Sequence, residues 1–319
     1  MSRFSTSPIQ VIRQVMKGPC GFKLSILQLY DRVESVYNPL LISLARQNPE
    51  ICVTDDYRVY ITDHGFVRRI GSKTYKQRCE DHTKNYRYIF VPIHISFEKE
   101  YRMKPIQGRS GHSTSVIIDI QNETIQYFEP NGPDVSWHEP ISKFMEKELT
   151  NDYPNYSFIP TEEFCPLRGP QRISGLPTCA AFTLFFLWSR IVDPDLESEV
   201  LVNELVKYDR DRLQTLIVKF ICHLHHYAQY LNLFQLREIY DSLDIIVKSD
   251  HLEQQVLELY NQEKLEELKE LKDRLDAINS LYSVIIHKID REELYDELDI
   301  LYENLDIRGM EKLMAELNI

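Results

Sequence analysis

No apolar run in this 319-residue chain approaches the width of a bilayer. The longest, Ala180–Trp188, is under half of the ~20 residues that a spanning helix needs. The opening Met1-Ser2-Arg3-Phe4-Ser5 leads into a mixed polar stretch without an apolar core, so no secretory signal is expected. The 6 cysteines (Cys20, Cys52, Cys79, Cys165, Cys179, Cys222) are scattered and form no CxxC pair. In a long chain without a signal they are expected to be reduced thiols, which points to the cytoplasm, the nucleus or a particle assembled there. Positive charge is in deficit: 37 Lys and Arg against 49 Asp and Glu leave a net charge of −12. That balance argues against a nucleic-acid partner, because phosphate backbones require a basic footprint. Gly108-Arg109-Ser110-Gly111 lacks any phosphate-loop pattern, and no cofactor is expected.

What is present is ordinary for a globular chain: 43% hydrophobic and 27% charged residues exclude wholesale disorder. The length suggests about two domains, or one with a large extension. Charge is uneven. Residues 1–110 hold 18 basic and 10 acidic side chains, residues 251–319 hold 8 and 18. The basic N-terminal segment reads as a solvated surface, the acidic C-terminal segment as a helical extension.

Residues 23–47 carry Ile26, Leu27, Tyr30, Val33, Val36 and Tyr37 at helical spacing, with Pro39 expected to break or kink the helix. From residue 51 the pattern turns to short strands: 51–53, 59–61 and 66–67, with His64-Gly65 as a turn. Residues 86–95 are nearly all apolar, as in a central strand, although Pro92 implies a bulge or an edge. Residues 98–111 read as a polar loop. A hairpin follows, 115–120 returning as 124–128, closed by Glu129-Pro130-Asn131-Gly132-Pro133. Next come a surface helix at 138–150, a short strand at 158–160 and a rigid loop at 165–171. Ala180–Trp188 is apolar on every face, so its helix belongs inside a core, with Thr178 as a candidate N-cap. Beyond 196 only helices are expected. Leu268, Leu271, Leu275, Ile278, Tyr282, Ile285 and Ile289 form a short heptad seam; it either packs on the protein's own core or serves as a coiled-coil docking arm, and three heptads are marginal for a free coiled coil.

Cys179 opens the buried helix. A helix N-terminus carries about +0.5 of a charge and free N–H groups, and both favour thiolate. A lone buried cysteine is more often a small apolar residue, so the thiol needs partners. His112 begins the first hairpin strand and Glu129 ends the second. Antiparallel pairing makes them neighbours across 17 residues, and a carboxylate can then hold one imidazole nitrogen while the other faces the thiol. Gln171, 8 residues before Cys179, can offer its amide to an oxyanion beside the Cys179 N–H. Cys222-His223-Leu224-His225-His226 lacks a second ligand pair and is read as a helix face rather than a metal site.

The hairpin His112-Ser113-Thr114-Ser115-Val116-Ile117-Ile118-Asp119 … Tyr127-Phe128-Glu129-Pro130-Asn131-Gly132, followed by Gly169-Pro170-Gln171 … Gly175 … Cys179-Ala180-Ala181-Phe182, resembles the adenovirus-type (adenain) and ubiquitin-like-protein-specific protease superfamily. The resemblance covers about residues 86–195 and implies a papain-like α+β fold. It further implies a catalytic set of His112, Glu129, Gln171 and Cys179, without a metal. Ser113 stands where members often carry Trp, and Thr178-Cys179-Ala180 differs from the Asp-Cys-Gly of the ubiquitin-like branch. Both departures favour the branch that matures virions of large DNA viruses. Asn131 is a second candidate for orienting His112, with charge favouring Glu129.

The resulting expectation is a mixed sheet with a buried nucleophile helix, arranged as 1–50 (helical), 51–245 (cysteine protease) and 246–319 (acidic, helical). The expected activity is a cysteine endopeptidase acting on a viral structural precursor in host cytoplasm or virion, with no membrane partner. The alternatives are an isopeptidase for a ubiquitin-like conjugate, an effector-type acyltransferase, and a catalytically inactive scaffold whose C-terminal helices bind other proteins.

Overall fold

A computed structural model describes residues 8–17, 25–54, 57–70, 79, 86–97, 111–247, 250–286 and 293–317. The chain is α+β, built on a mixed seven-stranded sheet. Residues Met1–Tyr227 form one compact unit and Ala228–Ile319 a second. Among the described residues no helix is long and apolar enough to cross a membrane.

Helices α1 (Pro8–Lys17), α2 (Ile26–Ser35) and α3 (Tyr37–Ala45) come first. Ser25 and Gln28 form a reciprocal capping box at the start of α2, which satisfies two first-turn N–H groups. The expected break at Pro39 falls instead at Val36. Pro39 sits in the first turn of α3, where its missing N–H costs no helical bond, so the proline starts a helix rather than ending one.

Strands β1 (Ile51–Val53), β2 (Tyr57–Ile61), β3 (Val67–Ile70) and β4 (Tyr88–Phe97) follow. β4 is central, but its outer side is shared: β1 pairs with residues 88–90 and β2 with residues 93–97, both in parallel. Pro92 lies in the gap between those two partners. The Phe90 carbonyl accepts from Thr54 N–H on that side at 2.9 Å, and by alternation the nitrogen of residue 92 points the same way. A proline therefore fits mid-strand without the expected bulge or edge position, because among the described residues no partner strand stands opposite its nitrogen.

β5 (His112–Asp119) runs antiparallel to β4 and to β6 (Thr124–Phe128), with Ser115 opposite Phe128. The Asp119 carboxylate accepts from the N–H groups of Gln121 and Asn122 and so closes the hairpin turn. Helix α4 (His138–Asp152) was read as a surface helix. Its Ile141, Met145 and Leu149 are in fact fully buried against Val59, Val91, Ile93, Val116, Ile118 and Ile125 on one sheet face. β7 (Ser157–Ile159) adds to β6 in parallel.

Short α5 (Pro170–Ser174) leads to α6 (Cys179–Val192). α6 packs on the opposite sheet face: Phe186 stacks on Phe128 at 3.9 Å between centroids, and the Thr183 hydroxyl donates to the Ser113 carbonyl at 3.0 Å. Beyond it come α7 (Ser198–Val206) and α8 (Arg210–Tyr230), whose Phe220 meets Phe185 edge-on at 5.1 Å. Contact on two sides explains why α6 is apolar all round.

The second unit holds α9 (Leu233–Ile246), α10 (Asp250–Asn261), α11 (Leu265–Ile286), α12 (Glu293–Glu303) and α13 (Ile307–Glu316). The seam residues Leu268, Leu271, Leu275, Ile278 and Ile285 of α11 are buried, and α11 packs against all four of its companions. Ile289 and residues 98–110 of the polar loop lie outside the described residues.

The expectation of reduced thiols is corrected. Cys52 on β1 and Cys79 form a disulfide across 27 residues, and Cys222 is also disulfide-bonded, which removes it as a thiolate ligand. Cys165 and Cys179 are free. The fold sets which sulfurs meet, and spacing along the chain carries no signal of it.

Candidate active site

His112 enters from the first residue of β5, and Glu129 follows the last residue of β6. By the two-residue alternation both lie on the α4 face of the sheet. The imidazole Nε2 sits 2.7 Å from Glu129 Oε1 and 2.9 Å from Oε2, so one N–H is shared by both carboxylate oxygens. Glu129 is wholly buried, and the surrounding donors match that burial. Asn131 backbone N–H donates to Oε1 at 2.9 Å and Trp137 Nε1 to Oε2 at 3.4 Å. The Glu129 N–H donates to Thr161 Oγ1 at 3.0 Å, and that hydroxyl donates to the Tyr127 carbonyl at 2.8 Å. Asn131 thus serves Glu129 through its backbone, and Glu129 holds the ring.

With Nε2 engaged, Nδ1 is the nitrogen left for the sulfur. Cys179 is the first residue of α6 and is buried. Burial pushes its thiol up, yet the charge of His112, a hydrogen bond from that ring and one from the Ser113 backbone bring it below the usual thiol value. Burial likewise pushes His112 down, and Glu129 and then Cys179 raise it to about 10. The two directions agree on one state, thiolate beside imidazolium. Cys165 is the contrast. Burial, with Glu129 behind it, drives its thiol up to about 12, so it stays protonated and unreactive.

Thr178 precedes α6 without a side-chain cap bond, so the expected N-cap is not made and the first-turn N–H groups are left for other acceptors. One of them, Ala180 N–H, donates to Tyr30 Oη at 3.3 Å.

Gln171 belongs to the first turn of α5 rather than to a loop. It is buried, its Nε2 donates to the Leu176 carbonyl at 3.4 Å, and its Oε1 has no hydrogen-bond partner among the described residues. What ties it to the pair is backbone. Gln171 N–H donates to the Pro130 carbonyl at 3.0 Å, and Gly169 N–H to the Asn131 carbonyl at 2.8 Å. The crossing needs two glycines: a Cβ on Gly132, where φ is +83°, would lie 2.4 Å from Gly169 N, and one on Gly169 would lie 2.5 Å from Gly132 N. Pro130-Asn131-Gly132 and Gly169-Pro170-Gln171, read separately in the sequence, are the two halves of one clamp.

Two neighbours are not marked as functional by the sequence. Trp137, which stands just before α4, meets the His112 ring edge-on, 5.6 Å between centroids. Tyr30 of α2 places its Oη 3.9 Å from Cys179 Sγ. In the sequence Tyr30 is one more member of an apolar helix stripe, and nothing there separates it from core.

No family model, no curated protein and no solved structure matches this chain.

Proposed function

We propose that this protein is a cysteine peptidase with a papain-like core, in which Cys179 is the nucleophile, His112 the acid–base and Glu129 its orienter. The observation that carries the reading is the buried His112–Glu129 pair, 2.7 Å apart, beside a free thiol lowered by the same imidazole at the start of a buried helix. A structural cysteine has no use for that arrangement, and Cys165 shows what burial does to a thiol that has no imidazole beside it.

The chemistry is acyl transfer. The Cys179 thiolate attacks a peptide carbonyl carbon, and the carbonyl π pair moves onto oxygen. The first-turn N–H of α6 and the Gln171 amide serve that oxyanion; the amide donates only loosely to Leu176 and can turn toward it. As the C–N bond breaks, the imidazolium gives its Nδ1 proton to the leaving amine. Neutral imidazole then takes a proton from water, which cleaves the thioester and restores the thiolate. Glu129 keeps the ring aimed throughout without moving a proton of its own.

The substrate is a protein segment, read as a viral structural precursor, with host cytoplasm or virion as the setting. An isopeptidase acting on a ubiquitin-like conjugate is the competing substrate class within the same chemistry. The test is Cys179→Ala on the purified chain. Cleavage of an unfolded protein substrate should vanish while the melting temperature holds within a few degrees. Residual turnover above the uncatalysed rate ends the assignment, and labelling of Cys179 by a ubiquitin-type electrophilic probe moves it to the isopeptidase class.

A further inference from the structure

The Tyr30 hydroxyl stands where three groups converge. It accepts the Ala180 N–H at 3.3 Å, lies 3.1 Å from Glu34 Oε1, and lies 3.9 Å from Cys179 Sγ. A phenol has one hydrogen to give, and here two acceptors of the same sign compete for it. Tyr30 itself is buried and Glu34, one turn further along α2, is half-buried, so the competition takes place where water screens it weakly.

We infer that Tyr30 and Glu34 are positioning residues that together set how readily Cys179 becomes a nucleophile: the phenol donates to the sulfur, and the carboxylate draws that hydrogen away. The inference rests on Cys179 being the nucleophile and goes beyond it, because it makes the first helices of the chain part of the site. Among the described residues, the groups facing the sulfur are His112 and the Ser113 backbone from β5, Tyr30 and Glu34 from α2, with Glu129 behind His112. Burial, then the charges of Cys179 and Glu34, hold the Tyr30 phenol well above its ordinary range, so it remains a donor wherever the thiol titrates. The negative charge of Glu34 in turn opposes the thiolate.

The two side chains therefore act with opposite signs, which a merely structural role does not produce. Removing the phenol oxygen deprives the thiolate of a donor, whereas neutralising the carboxylate removes a repulsion and frees the phenol hydrogen for sulfur.

The experiment is alkylation of Cys179 by iodoacetamide in the full chain as a function of pH, read by peptide mass spectrometry with buried Cys165 as the internal control. Tyr30→Phe keeps the ring and should move the Cys179 midpoint up by about one unit, a tenfold loss of thiolate below it. Glu34→Gln should move it down. Shifts in the same direction, no shift, or faster labelling of Tyr30→Phe with an unmoved midpoint (the tyrosine then only shields the sulfur) would each overturn the inference. Should Tyr30→Phe not fold, Glu34→Gln decides alone by the same criterion. Peptide cleavage is scored separately. Loss of the peptidase reading shows as turnover that survives Cys179→Ala, whereas failure of the Tyr30–Glu34 pair shows only in the midpoints.

Discussion

Among the described residues, two buried imidazoles pair with a carboxylate at equal length. His112 Nε2 lies 2.7 Å from Glu129, and His138 Nε2 lies 2.7 Å from Glu162. Both rings are buried, and both belong to the sheet-and-α4 half of the first unit. The carboxylates differ: the Glu129 side chain is 0% exposed and the Glu162 side chain 53%. Glu129 is held by donors on both oxygens, and its imidazole has a thiol on the far side. His138 instead lies stacked against Tyr127, 5.7 Å between centroids. Hydrogen-bond length therefore does not mark a site. What separates the pairs is removal of the carboxylate from water, which strengthens its field at the ring, and a third group that can use the proton.

The comparison can be broken most forcefully at Glu129. Glu129→Gln keeps the shape but removes the charge that raises His112, and kcat/KM should fall by roughly 10³–10⁴ in a cleavage assay. The buried ring left without its counter-charge should also cost about 3 kcal/mol in denaturant unfolding. Equal loss from Glu162→Gln would show that the two pairs are equivalent and that burial is not the deciding variable.

Gln171→Ala comes next. It should lower kcat by about 100- to 1000-fold with little change in stability, as expected for one oxyanion donor. A change confined to KM would make Gln171 a substrate contact instead.

The pH dependence sharpens the same contrast. Activity should rise as Cys179 ionises, below the ordinary thiol range, and fall as the imidazolium deprotonates near 10. For stability, the raised His112 favours the folded state fully below the unfolded imidazole value of about 6.5, and that contribution is lost as pH rises to about 10. The lowered Cys179 favours folding above the unfolded thiol value, and that contribution is lost as pH falls through its folded value. In Glu129→Gln the alkaline limb of both curves should move toward neutrality, which stopped-flow rates and thermal melts across pH can follow.

The smallest effect belongs to Glu162→Gln. A pair with an exposed carboxylate is worth about 0–1 kcal/mol, and turnover should stay within about twofold of wild type.

Much of the first unit was legible in the sequence because local chemistry wrote it there. The all-apolar 180–188 run requires burial on every side, and it is buried. The alternation in 112–128 sets both strand pairing and the neighbourhood of His112 and Glu129. What the sequence misjudged has one cause. Pro39 suggests a break or kink and Pro92 a bulge or an edge, yet a helix start and a gap between two partner strands each accept a missing N–H. The pattern of 138–150 suggests a surface helix because amphipathicity does not say how deep the apolar stripe goes. In each case the outcome depended on what stood opposite in space.

The sequence by itself determined the hairpin, the buried helix and the position on them of three of the four candidate residues: a thiol at a helix start, and an imidazole and a carboxylate at the ends of one hairpin. These follow from periods of two and 3.6 residues and from short-range turns. Only the tertiary structure decided that Gly132 and Gly169 clamp Gln171 to the Glu129 strand end, that Cys52 finds Cys79, and that a tyrosine from the first helices reaches the sulfur 149 residues away. Those are encounters between distant segments, fixed by which surfaces pack together, and no local pattern of side chains encodes them.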